Sequence, residues 1–92
     1  MNLTVDDILN QIQKICLKHG VRHLYLFGSY ATGTQTETSD IDVVVKGVPD
    51  FDELNEDIQN IPTLKTIDVF EYEKCLNPYL RDEINRYARQ IY

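Results

Sequence analysis

The chain has 92 residues, enough for one hydrophobic core, so we expect a single domain over residues 1–92. Its composition, 42% hydrophobic and 26% charged, is that of a globular protein rather than a disordered one. A net charge of -6 argues against long nucleic acid as the main partner, because clustered Lys and Arg bind phosphate backbones. No apolar run approaches the roughly 20 residues of a membrane span, and no signal-like segment begins the chain, which predicts a cytoplasmic location without membrane contact.

The first predicted element is a helix over about residues 5–19. Thr4 is a suitable N-cap and Gly20 a suitable stop. Between them the apolar residues recur at helical spacing: Val5, Ile8, Leu9, Ile12, Ile15 and Cys16. We expect Cys16 to be a core residue, and its distance along the chain from Cys75 indicates neither a disulfide framework nor a zinc site. His19 and His23 are assigned no role.

The next segments predict a buried strand, a loop and a second strand. Residues 21–27 are apolar and aromatic between two glycines, as a buried strand is. Residues 29–39 are rich in Thr, Ser and Gly, which predicts a loop whose first four residues could form one helical turn. The β-branched residues of segment 41–46, followed by Gly47 and Pro49, predict the second strand.

The remainder of the chain predicts helix, strand and helix. Asp50 precedes an acidic helix that must end before Pro62, and residues 65–71 form a third strand. Asn77 and Pro78 are suited to the N-cap and first turn of a last helix, with Leu80, Ile84 and Tyr87 expected to face inward. Residues 90–92 either continue this helix or form a short edge strand. The order predicts an α+β fold with a mixed sheet of three or four strands and helices mainly on one face.

The most informative motif is Gly28-Ser29, followed after ten residues by Asp40-Ile41-Asp42. Gly28 permits backbone angles and close approaches that a side chain forbids, and Ser29 can direct its hydroxyl and N–H at phosphate oxygens. Asp40 and Asp42 lie two residues apart at a strand start, so they project to one side with Cα atoms roughly 6.5 Å apart. Carboxylate oxygens in this arrangement suit Mg²⁺. Phosphate groups of the substrate complete the coordination shell of the ion.

Asp68 extends this constellation. It interrupts the apolar third strand, so its burial is costly unless a cation or a hydrogen bond compensates it. If the second and third strands are neighbours, Asp68 becomes a third ligand. Two Mg²⁺ ions roughly 4 Å apart would then bind the attacking and leaving oxygens of an in-line displacement at phosphorus. These residue types predict phosphoryl-type transfer chemistry.

The motifs around Gly28-Ser29 and Asp40-Ile41-Asp42 resemble those of the nucleotidyltransferase superfamily that shares its palm with DNA polymerase β. Chain length narrows this resemblance to the minimal nucleotidyltransferases, over nearly the whole chain. It extends to Asp68 and to segment 76–81, Leu76-Asn77-Pro78-Tyr79-Leu80-Arg81. The resemblance implies a polymerase β palm-like fold. It also implies that Asp40 and Asp42 bind both metals, that Asp68 binds the catalytic metal and helps activate the acceptor hydroxyl, and that Gly28 and Ser29 hold the terminal phosphates.

Bacterial and archaeal members of this class act as antitoxins beside a helical HEPN-type RNase toxin. The resemblance therefore implies transfer of AMP from ATP to a hydroxyl, that of a tyrosine, on such a partner. The chain departs from many relatives at Thr32, where they carry Arg, and segment 30–39 has no basic residue. Metals, backbone N–H groups, or residues such as Lys65 or Lys74 must then meet the phosphate charge.

Two other hypotheses stay open at this stage. The chain could neutralise a toxin by covering it, with a weak or inactive nucleotide site, because tyrosines crowd its C-terminal third and aromatic residues are enriched in interface centres. It could instead modify a small molecule, as antibiotic-modifying relatives do, although it has no second domain to hold one. The acceptor, the choice of ATP over other nucleotides, the number of AMP units and the oligomeric state are left undetermined.

Overall fold

A computed structural model describes residues 3–36, 38–75 and 77–92. In chain order the elements are α1 (Val5–Lys18), β1 (His23–Phe27), α2 (Ser29–Thr32), β2 (Ile41–Lys46), α3 (Phe51–Gln59), β3 (Ile67–Glu71), a 3₁₀ turn (Tyr72–Lys74), α4 (Pro78–Tyr87) and β4 (Arg89–Gln90). The predicted order of helices and strands is confirmed. Leu76, part of the C-terminal resemblance, lies outside the described residues.

Local sequence signals set the helix boundaries. Thr4 caps α1 through a reciprocal pair of hydrogen bonds with Asp7, each 3.1 Å long. Asp50 accepts the N–H of Glu53 at the start of α3, and Asn77 accepts the N–H of Tyr79 at the start of α4. Each of these caps satisfies an N–H group that has no partner within the helix.

The four strands form a mixed sheet in the order β3-β2-β1-β4. β1 pairs antiparallel with both β2 and β4, whereas β2 and β3 run parallel. α3 provides the crossover that a parallel pair requires. The alternative of a short edge strand after the last helix is thus the correct one, and β3 and β4 are the two edges.

Helices α1 and α3 cover one face of the sheet. Their buried residues pack with alternate strand residues into one core: Ile8, Ile12, Cys16, Leu24, Leu26, Ile41, Val43, Val45, Leu54, Ile58 and Ile67. Cys16 is fully buried, which confirms its predicted place and raises the pKa of its thiol to about 12. The opposite face, which carries Asp42 and Asp68, is only partly covered by α4.

Helix α4 differs from prediction at one residue. Ile84 is buried and Leu80 is half-buried, but 56% of Tyr87 is exposed. The prediction that Tyr87 faces inward is therefore wrong, because the packing of α4 buries Ile84 but leaves the side chain of Tyr87, in the last helical turn, exposed. None of the helices in the described part of the chain has the length and apolar character needed to cross a bilayer.

Candidate active site

Gly28 joins β1 to α2 in a conformation that only glycine adopts easily. Its φ of 71° and ψ of -148° lie outside the regions open to residues with a Cβ atom. A Cβ atom added to Gly28 would lie 2.5 Å from Oδ2 of Asp42. The backbone turn and the carboxylate are thus packed directly against each other, which the sequence motif alone does not reveal.

Ser29 begins the single turn of α2 at the same end of the sheet. The carbonyl of Gly28 accepts the N–H of Ala31 at 3.0 Å, which closes the turn. The first N–H groups of a helix have no acceptor within it. The N–H of Ser29 is therefore directed away from the helix, beside a hydroxyl that can also donate.

Asp42 and Asp68 occupy opposite positions on the parallel strands β2 and β3. Burial is the main cause that raises the pKa of Asp42 from 3.8 to about 6. The charge of Asp68, a side-chain hydrogen bond with Asp68, and the charge of Asp40 add to the increase, in that order. The second and third strands are thus neighbours, which is the condition set for Asp68 as a third ligand. That role itself stays a prediction.

Asp40 stands just before β2 and is exposed. It lies close enough to Asp42 for its charge to raise that pKa. Within the described residues, no three His, Cys, Asp or Glu side chains are arranged so that they could hold a metal ion by themselves. The structure thus brings Asp42 and Asp68 together and leaves Asp40 at the rim.

The two lysines considered as sources of positive charge lie in different places. Lys65 places its Nζ 5.8 Å from the ring centre of Tyr30, the residue after Ser29. Lys74 instead lines a cavity beyond the far end of β3. Thr32, where many relatives carry Arg, lies with its hydroxyl 3.0 Å from that of Thr34. Of the two lysines, Lys65 is the one next to the Gly28-Ser29 turn.

A cationic stack on the Asp42 face was missed in the sequence. Lys46 Nζ lies 4.9 Å from the ring centre of Tyr72, and the guanidinium carbon of Arg81 lies 4.8 Å from the same centre. Arg81 also donates to the Tyr72 carbonyl, at 3.3 Å. The period-two spacing of Asp42, Val44 and Lys46 was the available signal, because alternate strand residues share a face.

Comparison with known proteins identifies the family. The family model described as "Polymerase beta, Nucleotidyltransferase" matches residues 10–92. The chain belongs to this nucleotidyltransferase family. It is therefore a nucleotidyltransferase enzyme with a polymerase β-like fold, as its motifs predicted.

Relatives of this nucleotidyltransferase include two proteins of Methanocaldococcus jannaschii, each named "Putative protein adenylyltransferase". One is 37% identical over 87 residues, which cover 89% of this chain and 91% of the relative. The other is 39% identical over 88 residues, which cover 87% of each.

Two solved structures share the fold of this nucleotidyltransferase. A chain in the "Crystal structure of the toxin-antitoxin with AMP-PNP" has a TM-score of 0.70 and 25% identity, over 90% of this chain and 71% of its own length. A chain from a toxin-antitoxin MntA-HpeT mutant has a TM-score of 0.68 and 21% identity, over 90% of this chain and 70% of its own length. At the latter identity the likeness concerns the fold alone.

Proposed function

We propose that this nucleotidyltransferase transfers AMP from ATP to a hydroxyl group of a partner protein. The observation that carries the proposal is the opposition of Asp42 and Asp68 on parallel strands, with Gly28 packed against Asp42. This arrangement puts a phosphate-sized turn next to paired carboxylates. The names of the relatives, which specify adenylyl transfer to protein, support AMP as the group transferred.

Mg²⁺ fits the residues present. Asp40, Asp42 and Asp68 offer only hard oxygen donors. Burial and, after it, repulsion from Asp68 and Asp40 raise the pKa of Asp42, and a bound cation offsets both effects. Asp40 and Asp42 would hold two ions, and Asp68 would share one, with triphosphate oxygens completing each shell. When bound, Mg²⁺ neutralises negative charge that develops on the phosphate oxygens.

The residues of the chain have separate tasks in the displacement. Gly28 and Ser29 hold the terminal phosphates through backbone N–H groups and the Ser29 hydroxyl, which orients the pyrophosphate. The acceptor oxygen forms a bond to the α-phosphorus while the bond from that phosphorus to the pyrophosphate oxygen breaks. Asp68 positions the acceptor hydroxyl and accepts its proton. Lys65, beside Tyr30, adds positive charge near the turn.

The partner proposed is a HEPN-type toxin, with one of its tyrosine hydroxyls as acceptor. The similar chain from the toxin-antitoxin structure with AMP-PNP supports a toxin as partner and an adenosine nucleotide as substrate. We further propose that residues 1–92 form a single minimal domain acting in the cytoplasm. A domain of this size gives little surface to an acceptor, so the partner supplies much of the acceptor site.

The test is transfer of label from [α-³²P]ATP to the protein encoded beside this one, with Mg²⁺ present. Wild-type protein should label the partner and shift its intact mass by one or more AMP units. Asp42→Asn should lose at least about 99% of the activity, because removal of a metal ligand costs several kcal/mol of transition-state stabilisation. Equal labelling by Asp42→Asn would overturn the assignment of the site.

A second candidate function is neutralisation of the toxin by binding alone. Tyr79 and Tyr87 on α4 are 84% and 56% exposed, and exposed tyrosines are typical of interface centres. In a growth assay, a variant with both Asp40→Asn and Asp42→Asn should fail to restore growth if catalysis neutralises the toxin. Full rescue by that variant would instead favour the binding function.

A further inference from the structure

The order of the strands assigns the two substrates to different sides of the site. The Gly28-Ser29 turn follows β1, Asp42 lies on β2, and Asp68 lies on β3, which is a sheet edge. If the triphosphate lies at the turn, an in-line displacement puts the acceptor on the side remote from the leaving pyrophosphate. The acceptor therefore approaches over β3 and its outer edge.

The outer edge of β3 is partly capped by α3. The Ile67 carbonyl points outward and accepts a hydrogen bond from Gln59 at 2.8 Å, while the preceding carbonyl, of Thr66, points inward to Ile41. Because backbone groups alternate in direction along a strand, Val69 and Glu71 direct their N–H and C=O groups outward, into the space that they line together with the start of α3. Such an edge can pair with an extended segment of another chain.

A cavity of about 660 Å³ lies along this open part of the edge. We refer to it as the edge groove, the space bordered by segment 48–52, by β3 from Val69 onward, and by residues 74, 75, 77 and 80. Its apolar lining includes Phe51, Phe70, Cys75 and Leu80. Phe70 lies two residues after Asp68 on the same sheet face, so the groove adjoins the acceptor side of the site.

The charge of the edge groove is mainly negative. Asp50, Asp52 and Glu71 line it, and Lys74 is the cation among its described lining residues. Apolar walls with an acidic rim complement an apolar side chain flanked by Lys or Arg.

We propose that the edge groove is the docking site for the acceptor protein. An extended segment of that protein pairs with Val69 and Glu71, inserts an apolar side chain between Phe70 and Leu80, and sets basic residues against Asp50 and Asp52. This inference rests on the proposed function only in that the docked protein carries the hydroxyl presented to Asp68. Docking itself requires no catalysis.

The probe is a pair of hexapeptides, Lys-Val-Lys-Val-Tyr-Lys and its acidic counterpart Glu-Val-Glu-Val-Tyr-Glu, titrated into the ¹⁵N-labelled full chain. The basic peptide should shift the amide signals of residues 69–71, 74, 75 and 80. It should bind roughly fivefold more tightly than the acidic one, as two or three exposed ion pairs allow. Absence of these shifts at millimolar basic peptide, or equal affinity for both peptides, would overturn the proposal.

Matched variants locate the binding. Leu80→Asp should abolish the shifts, whereas the same change at Leu64, which is 98% exposed on another surface, should leave them intact. Because a charge at half-buried Leu80 could destabilise α4, a second variant combines Asp52→Asn and Glu71→Gln, which remove charge with little change of shape. That variant keeps only Asp50 of the acidic rim and should lose most of the preference for the basic peptide, so a retained fivefold preference would contradict the role of the rim.

Kinetics separate this inference from the proposed function. With the co-encoded partner as acceptor, Leu80→Asp should raise KM for the partner about tenfold and leave KM for ATP unchanged. An unchanged KM for the partner in an active enzyme would overturn the docking site and leave the proposed function standing. Failure of the wild-type protein to transfer AMP would overturn the proposed function, and the peptide titration would still test the docking site. Conversion of a dimer to a monomer by Leu80→Asp would instead identify the groove as a self-interface and overturn the proposal.

Discussion

Gly28 and Asp42 hold each other in place, because a Cβ atom at residue 28 would lie 2.5 Å from the Asp42 carboxylate. No real Cβ contact is that short, so either the turn or the carboxylate would have to move. Glycine is therefore required at residue 28 for two reasons: its backbone angles and the absence of a side chain beside Asp42. A mutation at the phosphate turn should for this reason also disturb the carboxylate site.

We predict that Gly28→Ala destabilises the fold and inactivates the enzyme. The positive φ and the contact with Asp42 together should cost roughly 2 to 4 kcal/mol in the free energy of unfolding, measured by urea denaturation. Gly33→Ala is the matched control, because Gly33 also has a positive φ, of 76°, but no atom within 4 Å of an added Cβ. It should cost only about 1 kcal/mol and retain transfer activity. Equal costs for the two variants would contradict the packing argument.

We predict that Asp42→Asn stabilises the metal-free protein while abolishing transfer. The pKa of Asp42 is raised to about 6, so protonation stabilises the folded state at low pH, and this stability is lost as the pH rises through 6. The uncharged Asn should therefore raise Tm at about pH 8 by roughly 2 to 4 °C, corresponding to about 0.5 kcal/mol after solvent screening. At about pH 5 the difference should shrink. Differential scanning fluorimetry in EDTA measures the Tm of both proteins at each pH.

The control for this pH dependence is Asp52→Asn, which removes an exposed carboxylate from the first turn of α3. That change should lower Tm slightly, since an acid there complements the helix dipole. A Tm gain from Asp42→Asn that is independent of pH would argue against repulsion and burial as its source.

At the residue scale, alternation and motif spacing predicted Gly28, Ser29, Asp40 and Asp42 as one constellation, and the structure brings Gly28 and Asp42 into contact. Their roles in binding metal and phosphate stay predictions. The Tyr72 stack with Lys46 and Arg81 was not predictable in the same way. Tyr72 contacts both Lys46 and Arg81 because the chain reverses direction after β3. No local sequence pattern predicts that reversal.

At the element scale, α1 and α3 are joined by a contact that the sequence did not suggest. His19, given no role beforehand, places its Nε2 2.6 Å from Oδ2 of Asp57. The imidazole side chain is only 13% exposed, so the pair lies in partly desolvated surroundings. The contact ties the C-terminal end of α1 to α3 above the core.

We predict a coupling energy of about 0.5 to 1.5 kcal/mol between His19 and Asp57 in a double-mutant cycle of alanine variants. The matched control is Arg86 and Asp82 on α4, an exposed pair with side chains 65% and 58% accessible. Its coupling should be about 0.5 kcal/mol or less, because solvent screens it. Denaturant unfolding of the four variants of each cycle supplies the comparison. A coupling for His19 and Asp57 no larger than that of the control would contradict the role assigned to burial.

Helix starts were the most predictable boundaries, because Thr4, Asp50 and Asn77 each cap a helix with their own side chain. Strand starts were less so. The strands predicted over 21–27 and 65–71 begin two residues later in the structure, at His23 and Ile67. Pairing with a neighbouring strand, rather than local composition, determines where a strand begins. The prediction that Tyr87 faces inward was wrong for a related reason, since its burial depends on how α4 packs against the rest of the chain.

At the scale of the whole molecule, the net charge of -6 opposes the binding of a nucleoside triphosphate unless cations accompany it. ATP by itself brings further negative charge to a site where Asp42 is already repelled by Asp68.

We predict that ATP raises Tm only when Mg²⁺ is present. Ligand that binds the folded state alone stabilises it by about 2.7 kcal/mol at 100-fold excess over Kd, and the gain grows with concentration. Thermal scans with ATP and Mg²⁺, with ATP and EDTA, and with Mg²⁺ alone measure the dependence. Asp42→Asn should show little gain with both ligands. A full gain from ATP in EDTA would contradict the need for a metal.

The topology of the whole sheet was predictable only in part. A helix between β2 and β3 is the usual connection of parallel neighbours, but the sequence analysis treated their pairing only as a condition, which the structure meets. The placement of β4 beside β1 was not predictable, because residues 90–92 carry no strong strand signal. The edge groove was not predicted either, since it forms where segments 48–52 and 69–71 meet residues 74, 75, 77 and 80.

The strand order β3-β2-β1-β4 also separates the parts of the chain that would choose each substrate. Nucleotide selection would reside in the segment after β1, and partner selection in β3 and the residues that follow it. Redesign of one would therefore leave the other untouched. If the proposed function and docking site hold, exchanging residues 69–80 between two such enzymes should redirect AMP to a different protein without changing which nucleotide is consumed.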